Sequence, residues 1–370
     1  MNKTKVVQVI KKLTHGGAEH LVVNLAEKLN KELFDVTVLV IEGDESDNNS
    51  EMLQTLQKNG VVVEFLRKRK GTNKIWTVFQ IVKVLKKIKP DVVHAHLEHC
   101  SIYVGLASYF YTKCKYVQTL HNTVLNNIFL MKLIKNRYDK TIAISHEVEQ
   151  VARRILKLPK RDMQLIYNGV NTEVFSVHGK RSDLIQKTLR DRRNGINIVS
   201  IGRLTTQKGH VYAIQAIEQL KKIYEINLFI IGDGELKKEI QDLVQELKLS
   251  SNVFLLGNRQ EIPEILRACD LYVMPSLWEG LSVSLLEAIS IGIPIIATDV
   301  GSNKSVLSES GTDYKIVAPE NTDELAYAIK EFIDKYEDRK EYLSHSENPL
   351  PSKYTLSEFI QQHQKLYLSE

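Results

Sequence analysis

No run of apolar residues in this 370-residue chain is long enough to span a bilayer. The opening stretch, MNKTKVVQVIKKL, has only a short apolar segment, broken by Gln8, and no small-residue cleavage site. It reads as a first strand and not as a signal peptide. Cysteine is scarce: Cys100, Cys114 and Cys269 are scattered and no CxxC occurs. A disulfide framework is therefore not expected, and a reducing cytoplasm is the expected location. There is no internal repeat of about 20–50 residues, which excludes solenoids and propellers. There is no G-x-G-x-x-G, hence no dinucleotide fingerprint. The histidines of DVVHAHLEHC, His94, His96 and His99, lie near Cys100 without H-x3-5-H or C-x2-C spacing. A structural metal is not expected there; histidines at a strand end, lining a cleft, are.

What is present is an ordinary globular composition, 43% hydrophobic and 26% charged, in a length that suggests two domains. Short β-branched runs alternate with helical stretches such as 18–30 and 74–88, the signature of βαβ units on parallel sheets. In the first half the strands expected are VVQVI, DVTVLVI, VVVEFL, DVVHAH, KYVQTL, TIAIS and QLIY. A polar stretch near residues 170–195 follows. The alternation then restarts with INIVSIG, NLFIIG, NVFLLG, DLYVMP, PIIAT and YKIV. Two successive doubly wound α/β units are the natural reading. The final TLSEFIQQHQKLYLSE predicts a helix opening with a capping box at Thr355 and Glu358.

Charge is uneven. Residues 1–170 carry a net +11 and the remainder −6, and the excess is densest in RKRKGTNKIWTVFQIVKVLKKIKP, residues 67–90. Such a half could face nucleic acid, anionic lipid or a phosphorylated substrate, or be a solvated basic face.

In open parallel sheets ligands sit beyond the carboxyl ends of strands, which selects the turns there. Gly16 and Gly17 in THGGAEH would let backbone approach an anion at a helix start, although a tight turn explains them equally. GRLTTQKGH puts Arg203 and Lys208 in one loop before a helix near His210, where two cations could neutralise a diphosphate without a metal. GDGE, 232–235, is a sharp turn. His121 ends the strand KYVQTL and could be structural or a ligand contact. In SLWEGLSVSLLEA, Glu279 precedes a helix expected from about Leu281 to Ile291, and Glu287 lies two turns in. The free N–H groups of Leu281 to Val283 lie between them. Carboxylates on either side of an anion-binding helix mouth suit sugar, diphosphate and ribose in that order. Alternatively Glu279 caps the helix and Glu287 pairs with a cation.

The ordered set GGAE, HAH, TLHN, AIS, YNGV, IGRLTTQKG, IIGDGE and DLYVMPSLWEG, ending in this E-x7-E, resembles the retaining glycosyltransferases of family 4 along nearly the whole chain. The resemblance implies a GT-B fold: two facing Rossmann-like doubly wound domains with a nucleotide sugar in the cleft. The division implied is 1–172, an acceptor-side domain joined by a crossover helix 355–368, and 173–350, which holds the donor. By position it implies that Glu279 bonds the donor sugar hydroxyls, Glu287 the ribose, and Arg203 and Lys208 the diphosphate. Gly280, Leu281, Ser282 and Val283 form the helix mouth. Gly16 and Gly17 pack on the donor phosphates, His121 touches the sugar near the reacting carbon, and Asn168 with Gly169 lies at the hinge. The base sits near Asn258 and Arg259. Ser282, Asn171 and Ser305 depart from frequent family residues without removing a diphosphate or sugar contact.

The implied reaction moves a hexosyl or N-acetylhexosaminyl group, with retention and without a metal or other cofactor. The donor is a nucleotide-diphosphate sugar, UDP favoured. The acceptor is a hydroxyl of a glycan or lipid-linked saccharide in cell-surface polysaccharide biosynthesis. The basic N-terminal half, with the amphipathic run 74–89, could then dock peripherally on an anionic inner membrane face, and nucleic acid is not an expected partner. Two rivals are a nucleotide-sugar 2-epimerase, against which the E-x7-E and GRLTTQKG pattern argues, and a non-catalytic transferase-like subunit. The latter would be expected to lose the diphosphate cations or the first glutamate, and none is lost here.

Overall fold

The computed structural model describes residues 3–14, 16–69, 71, 73–189, 195–335 and 348–369. The chain divides into two compact units, Met1–Asn168 with Ser357–Glu370, and Gly169–Leu356. All thirteen β-branched runs picked out above form strands, each within a few residues of the expected limits. In the first unit β1 (Thr4–Ile10), β2 (Phe34–Glu42), β3 (Val62–Lys68), β4 (Val92–His96), β5 (Lys115–Leu120), β6 (Lys140–Ala143) and β7 (Met163–Leu165) make one sheet. Its order is β3-β2-β1-β4-β5-β6-β7. In the second, β8 (Ile196–Ile201), β9 (Ile226–Ile231), β10 (Val253–Gly257), β11 (Leu271–Met274), β12 (Ile295–Thr298) and β13 (Tyr314–Val317) are ordered β10-β9-β8-β11-β12-β13.

Every pairing is parallel. That is the expected outcome for strands such as β9, INLFII, buried at every position: helices cover both faces, so apolar residues run on without alternation. Each sheet reverses direction once, at β1/β4 and at β8/β11. The loops after those four strands therefore meet in pairs at the sheets' carboxyl edges. The helix expected over 18–30 is Gly17–Lys28, and that over 74–88 is Lys74–Ile88. The cysteines are all free. Among the described residues no helix is long and apolar enough to cross a membrane.

The first unit has a polar centre. Gln8 on β1 lies in register with His94 on β4, so the two share a sheet face with His96. The C-terminal helix, Leu356–Leu368, supplies His363 and Tyr367 to the same cluster. His94 Nδ1 is 2.6 Å from the Tyr367 hydroxyl and Nε2 is 2.7 Å from Thr119 Oγ1. The His96 ring stands 4.0 Å from that of His94 and 5.9 Å from that of His121. His363 Nδ1 donates to the Phe359 carbonyl at 2.8 Å. Both amide atoms of Gln8 and both ring nitrogens of His96 are buried without a protein hydrogen-bond partner. His94 and His96 are almost completely buried, which corrects the expectation that they line an open cleft. His99 points outward from the next helix.

Burial holds these imidazoles neutral, and each disfavours a charge on its neighbours. His121 and His363 are each pushed down to about 4, and His94 and His96 lie well below the usual histidine range. The unfolded chain takes up protons near pH 6.5 and the folded chain only near 4, so stability is fully present above the first value and lost towards the second. The melting temperature should therefore fall as pH drops through that window. A His363→Leu variant should fall less steeply. Equal slopes for the two proteins would show that this cluster is not what titrates.

Candidate active site

The reversal between β8 and β11 brings together the two loops singled out for chemistry. After β8 the chain runs through Gly202–Arg203 into a 3-10 turn, Thr206–Lys208, and then the helix His210–Leu220. Gly209 is in the left-handed region at φ +60°, and a Cβ there would strike the Pro275 carbonyl at the end of the neighbouring strand. His210 is buried, and burial pushes its imidazole down to about 4, so the ring is neutral above that pH. Its Nδ1 lies 3.2 Å from Ser200 Oγ and its Nε2 3.3 Å from the Gly202 carbonyl, pinning the loop's first residue. Gln207 crosses to the turn after β11: its side chain donates to the Trp278 carbonyl at 3.0 Å, and its own carbonyl accepts from Leu277 N at 2.8 Å. From the other side Ser302 donates to the Gly280 carbonyl through both Oγ, 2.6 Å, and N, 3.1 Å.

Within this brace Lys208 Nζ lies 2.6 Å from Glu279 Oε1, with the side chains 17% and 6% exposed. Burial of that degree makes the pair mutually dependent: either charge alone would be left desolvated. Sequence reasoning assigned the two residues separate tasks, and the structure makes them partners. Arg203, by contrast, is exposed and has no acidic partner among the described residues.

The helix after the turn is Val283–Ile291, so it begins two residues later than expected. Ser282 stands at its N-cap without a side-chain capping bond, and the first-turn N–H groups belong to Val283, Ser284 and Leu285 rather than to Leu281–Val283. Leu281 is buried. Glu287 lies on this helix, partly open to solvent, with no ion-pair partner among the described residues, which disposes of the cation-pairing alternative. Although the residue as a whole is only half-buried, its carboxyl end is desolvated, and that alone pushes it up to about 8. Tyr272 of β11 is buried, its hydroxyl donating to Ser284 Oγ at 3.0 Å. Burial first, then the charges of Glu287 and Glu279, drive its phenol upward. An exposed guanidinium, uncapped helix N–H groups and two carboxyls can together hold an anion with hydroxyl-bearing groups on each side.

The other predicted residues are more dispersed. Asn258 is exposed after β10, and Arg259, its Nε buried without a partner, has Nη1 4.0 Å from Glu261 Oε1. Asn168 is buried at the end of the first unit. Gly16 is the N-cap of its helix and Gly17 the first helical residue. What crowds Gly16 is the Glu19 carboxylate, against which a Cβ would collide. His121 follows β5 directly, with Nε2 buried and unpartnered. Gln207, His210, Tyr272 and Ser302 were missed. They are neutral residues whose contribution is to hold a loop, and only TTQKGH, lying in a loop already suspected, hinted at the first two. Among the described residues no group of three or more His, Cys, Asp or Glu is arranged to hold a metal ion.

A pair of doubly wound units is the GT-B architecture, and solved glycosyltransferases share it. Anabaena HepE in complex with UDP and glucose superposes with a TM-score of 0.82 at 20% identity, covering 99% of this chain and 100% of that one. Family models match both halves: Glycosyltransferase Family 4 over residues 15–174 and Glycosyl transferases group 1 over 182–347. The chain belongs to the group 1 glycosyltransferases. It is similar to the Escherichia coli UDP-Gal:alpha-D-GlcNAc-diphosphoundecaprenol alpha-1,3-galactosyltransferase, 28% identical over 83% of this chain and 82% of that protein. It is also similar to the putative glycosyltransferase EpsF of Bacillus subtilis, 26% identical over 80% of each.

The Lys208–Glu279 pair makes a stability prediction. Lys208→Met takes the cation away from the buried Glu279, a loss of about 3–5 kcal/mol. Arg203→Met, at an exposed unpaired site, should change stability by less than about 0.5 kcal/mol. The double change Lys208→Met with Glu279→Leu should recover most of the first loss. Denaturant melts of these three proteins and of Glu279→Leu check this; a loss in the double variant equal to the sum of the Lys208→Met and Glu279→Leu losses would mean the pair is not coupled.

Proposed function

We propose that the chain transfers a hexosyl or N-acetylhexosaminyl group from a UDP-sugar to a hydroxyl of a glycan or lipid-linked saccharide, with retention of anomeric configuration and without a metal or other cofactor. The observation that carries the reading is the Lys208–Glu279 pair set beside an uncapped helix start and the free Arg203. Arg203 is the first cation an incoming diphosphate meets. The N–H groups of Val283, Ser284 and Leu285 add the positive end of the helix dipole. As the diphosphate draws Lys208, Glu279 is released to accept hydrogen bonds from sugar hydroxyls, so binding of phosphate and of sugar are linked.

The anomeric C–O bond breaks with its electron pair passing to the diphosphate. The acceptor oxygen bonds the same face of that carbon, and the acceptor proton moves to the departing phosphate oxygen. Arg203, Lys208 and the helix start stabilise the growing negative charge. Glu287 serves the ribose and the segment Asn258–Arg259 the base. For Gly16, Gly17 and Asn168 the support is the family resemblance. For His121 there is in addition a neutral ring with an unpartnered nitrogen suited to a sugar hydroxyl. UDP and a lipid-linked acceptor are favoured by the name of the E. coli relative, which specifies both for that protein. A cytoplasmic location, peripheral on an anionic membrane surface, fits such an acceptor.

A thermal-shift panel of UDP, GDP and ADP with their sugars should single out UDP. Glu279→Ala and Lys208→Ala should each cut turnover at least about a hundredfold. Activity should persist in excess EDTA, and proton NMR of early product should show the donor's anomeric configuration. Epimerised donor without acceptor, or metal-restored activity after EDTA, would overturn the reading. Ribose hydroxyls donate to the charged form of Glu287, so UDP binding should tighten as pH rises through about 8 and should lose that slope in Glu287→Gln. An unchanged slope would remove Glu287 from the ribose.

A further inference from the structure

The first unit carries a row of three helices whose outer surface is unusual for a soluble protein. Glu98–Ala107 packs between Lys74–Ile88 and Ile128–Ile134. The Lys74–Ile88 helix buries Thr77, Val78, Ile81, Val82 and Leu85, and turns Trp76 and Phe79 outward. Phe79, 53% exposed, stands 5.6 Å from the ring of Phe110, 57% exposed, just past the end of the next helix. Beside Phe110, Tyr109 is capped by the Arg137 guanidinium, 4.4 Å from its ring centre. The third helix exposes Phe129, at 79%, and Leu133. Aromatic side chains this open cost solvation unless something covers them.

Charge indicates what covers them. The segments 74–88, 108–115 and 128–137 hold no acidic residue and nine lysines and arginines, of which Lys87 pairs with Glu64, Lys115 binds the Leu366 and Ser369 carbonyls and Lys135 binds the Leu156 carbonyl, leaving six. Along the first helix the apolar residues come first, and the lysines Lys83 and Lys86 follow on the same exposed stripe one and two turns on. Aromatic rings rimmed by cations with long flexible stems match the headgroup zone of an anionic bilayer, where rings enter the acyl boundary and ammonium groups stay with the phosphates. A protein partner would have to supply an acidic rim around an aromatic socket. A second copy of this chain offers the same cationic face, which would repel its own.

We infer that this aromatic and basic face, centred on Trp76, Phe79 and Phe110, docks the protein on anionic lipid. The inference deepens the proposed function, resting on its membrane-surface acceptor for biological sense, yet the surface can be tested without any catalysis. It also narrows the sequence view, in which the basic N-terminal half with the amphipathic run 74–89 would dock, to a face that two further segments, remote in sequence, complete.

Flotation of the full chain with phosphatidylglycerol-containing vesicles at low salt should recover the protein, and pure phosphatidylcholine vesicles should not. Phe79→Ser with Phe110→Ser should reduce recovery about tenfold, and Lys83→Glu should weaken it and its dependence on salt. Melting temperatures of the variants should stay near the parent's, since these side chains are exposed. Absence of flotation on anionic vesicles, or flotation indifferent to both changes, would overturn the inference. So would loss of a dimer on Phe79→Ser with Phe110→Ser in the absence of vesicle binding. Transfer to a water-soluble acceptor analogue should be unchanged in the variants. If that transfer holds while flotation fails, only this inference falls. If flotation holds and no transfer occurs, only the proposed function does.

Discussion

One buried ion pair organises the second unit. Lys208 and Glu279 belong to loops after β8 and β11, strands far apart in sequence and adjacent at the point where the sheet reverses. Neither charge is tolerable there without the other. Their union requires both loops to arrive in one geometry, and the surrounding neutral groups see to it. Gly209 lets the backbone pass close to Pro275, Gln207 ties the two loops, His210 holds Gly202, and Ser302 clamps Gly280. The start of the Val283–Ile291 helix then opens beside a pair that is charge-neutral within itself, with Arg203 as the uncompensated cation. Loops built this way leave one cation exposed and hold the other in a buried pair.

The first unit is organised by a different constraint. Its centre is polar where a parallel sheet is normally apolar. Gln8, His94 and His96 face a C-terminal helix that returns His363 and Tyr367 from the far end of the chain. Burial keeps all the imidazoles neutral. The neutral His121 at the margin of that cluster is one consequence. Another is that the C-terminal helix is bound partly by hydrogen bonds and ring contacts that acid would break, so its attachment depends on pH in a way an aliphatic interface would not. On the outside, three helices leave aromatic rings and cations uncovered, and the same unit therefore joins an acid-sensitive interior to a surface suited to lipid.

The strands were legible because a fully buried parallel strand is a continuous β-branched run, and turn residues bound each run. Arg203, Lys208, Glu279 and Glu287 were legible as loop and helix-start residues beyond strand ends. What failed was local. The helix after SLWEG was expected two residues early, because Gly280, Leu281 and Ser282 do not disfavour helix strongly enough to mark its start. His94 and His96 were expected at an open cleft, because a strand's sequence shows which residues share a face and not what covers that face. At Gly16 the structure adds a neighbour that the sequence did not show, the chain's own Glu19.

The sequence by itself determined the two doubly wound units, the order of their elements and which polar residues stand in the turns beyond the strand ends. These follow from hydrophobic periodicity and from the chemistry of side chains in turns, both of which act over a few residues. Only the tertiary structure decided which of them are partners: that Lys208 lies on Glu279, that Glu287 has no cation among the described residues, that histidines from β4 and the last helix share one buried cluster, and that Phe79 meets Phe110. Each is set by strand order and helix packing, which join residues tens to hundreds of positions apart, and the cost of burying a charge or a ring depends on that distant neighbour rather than on the adjacent sequence.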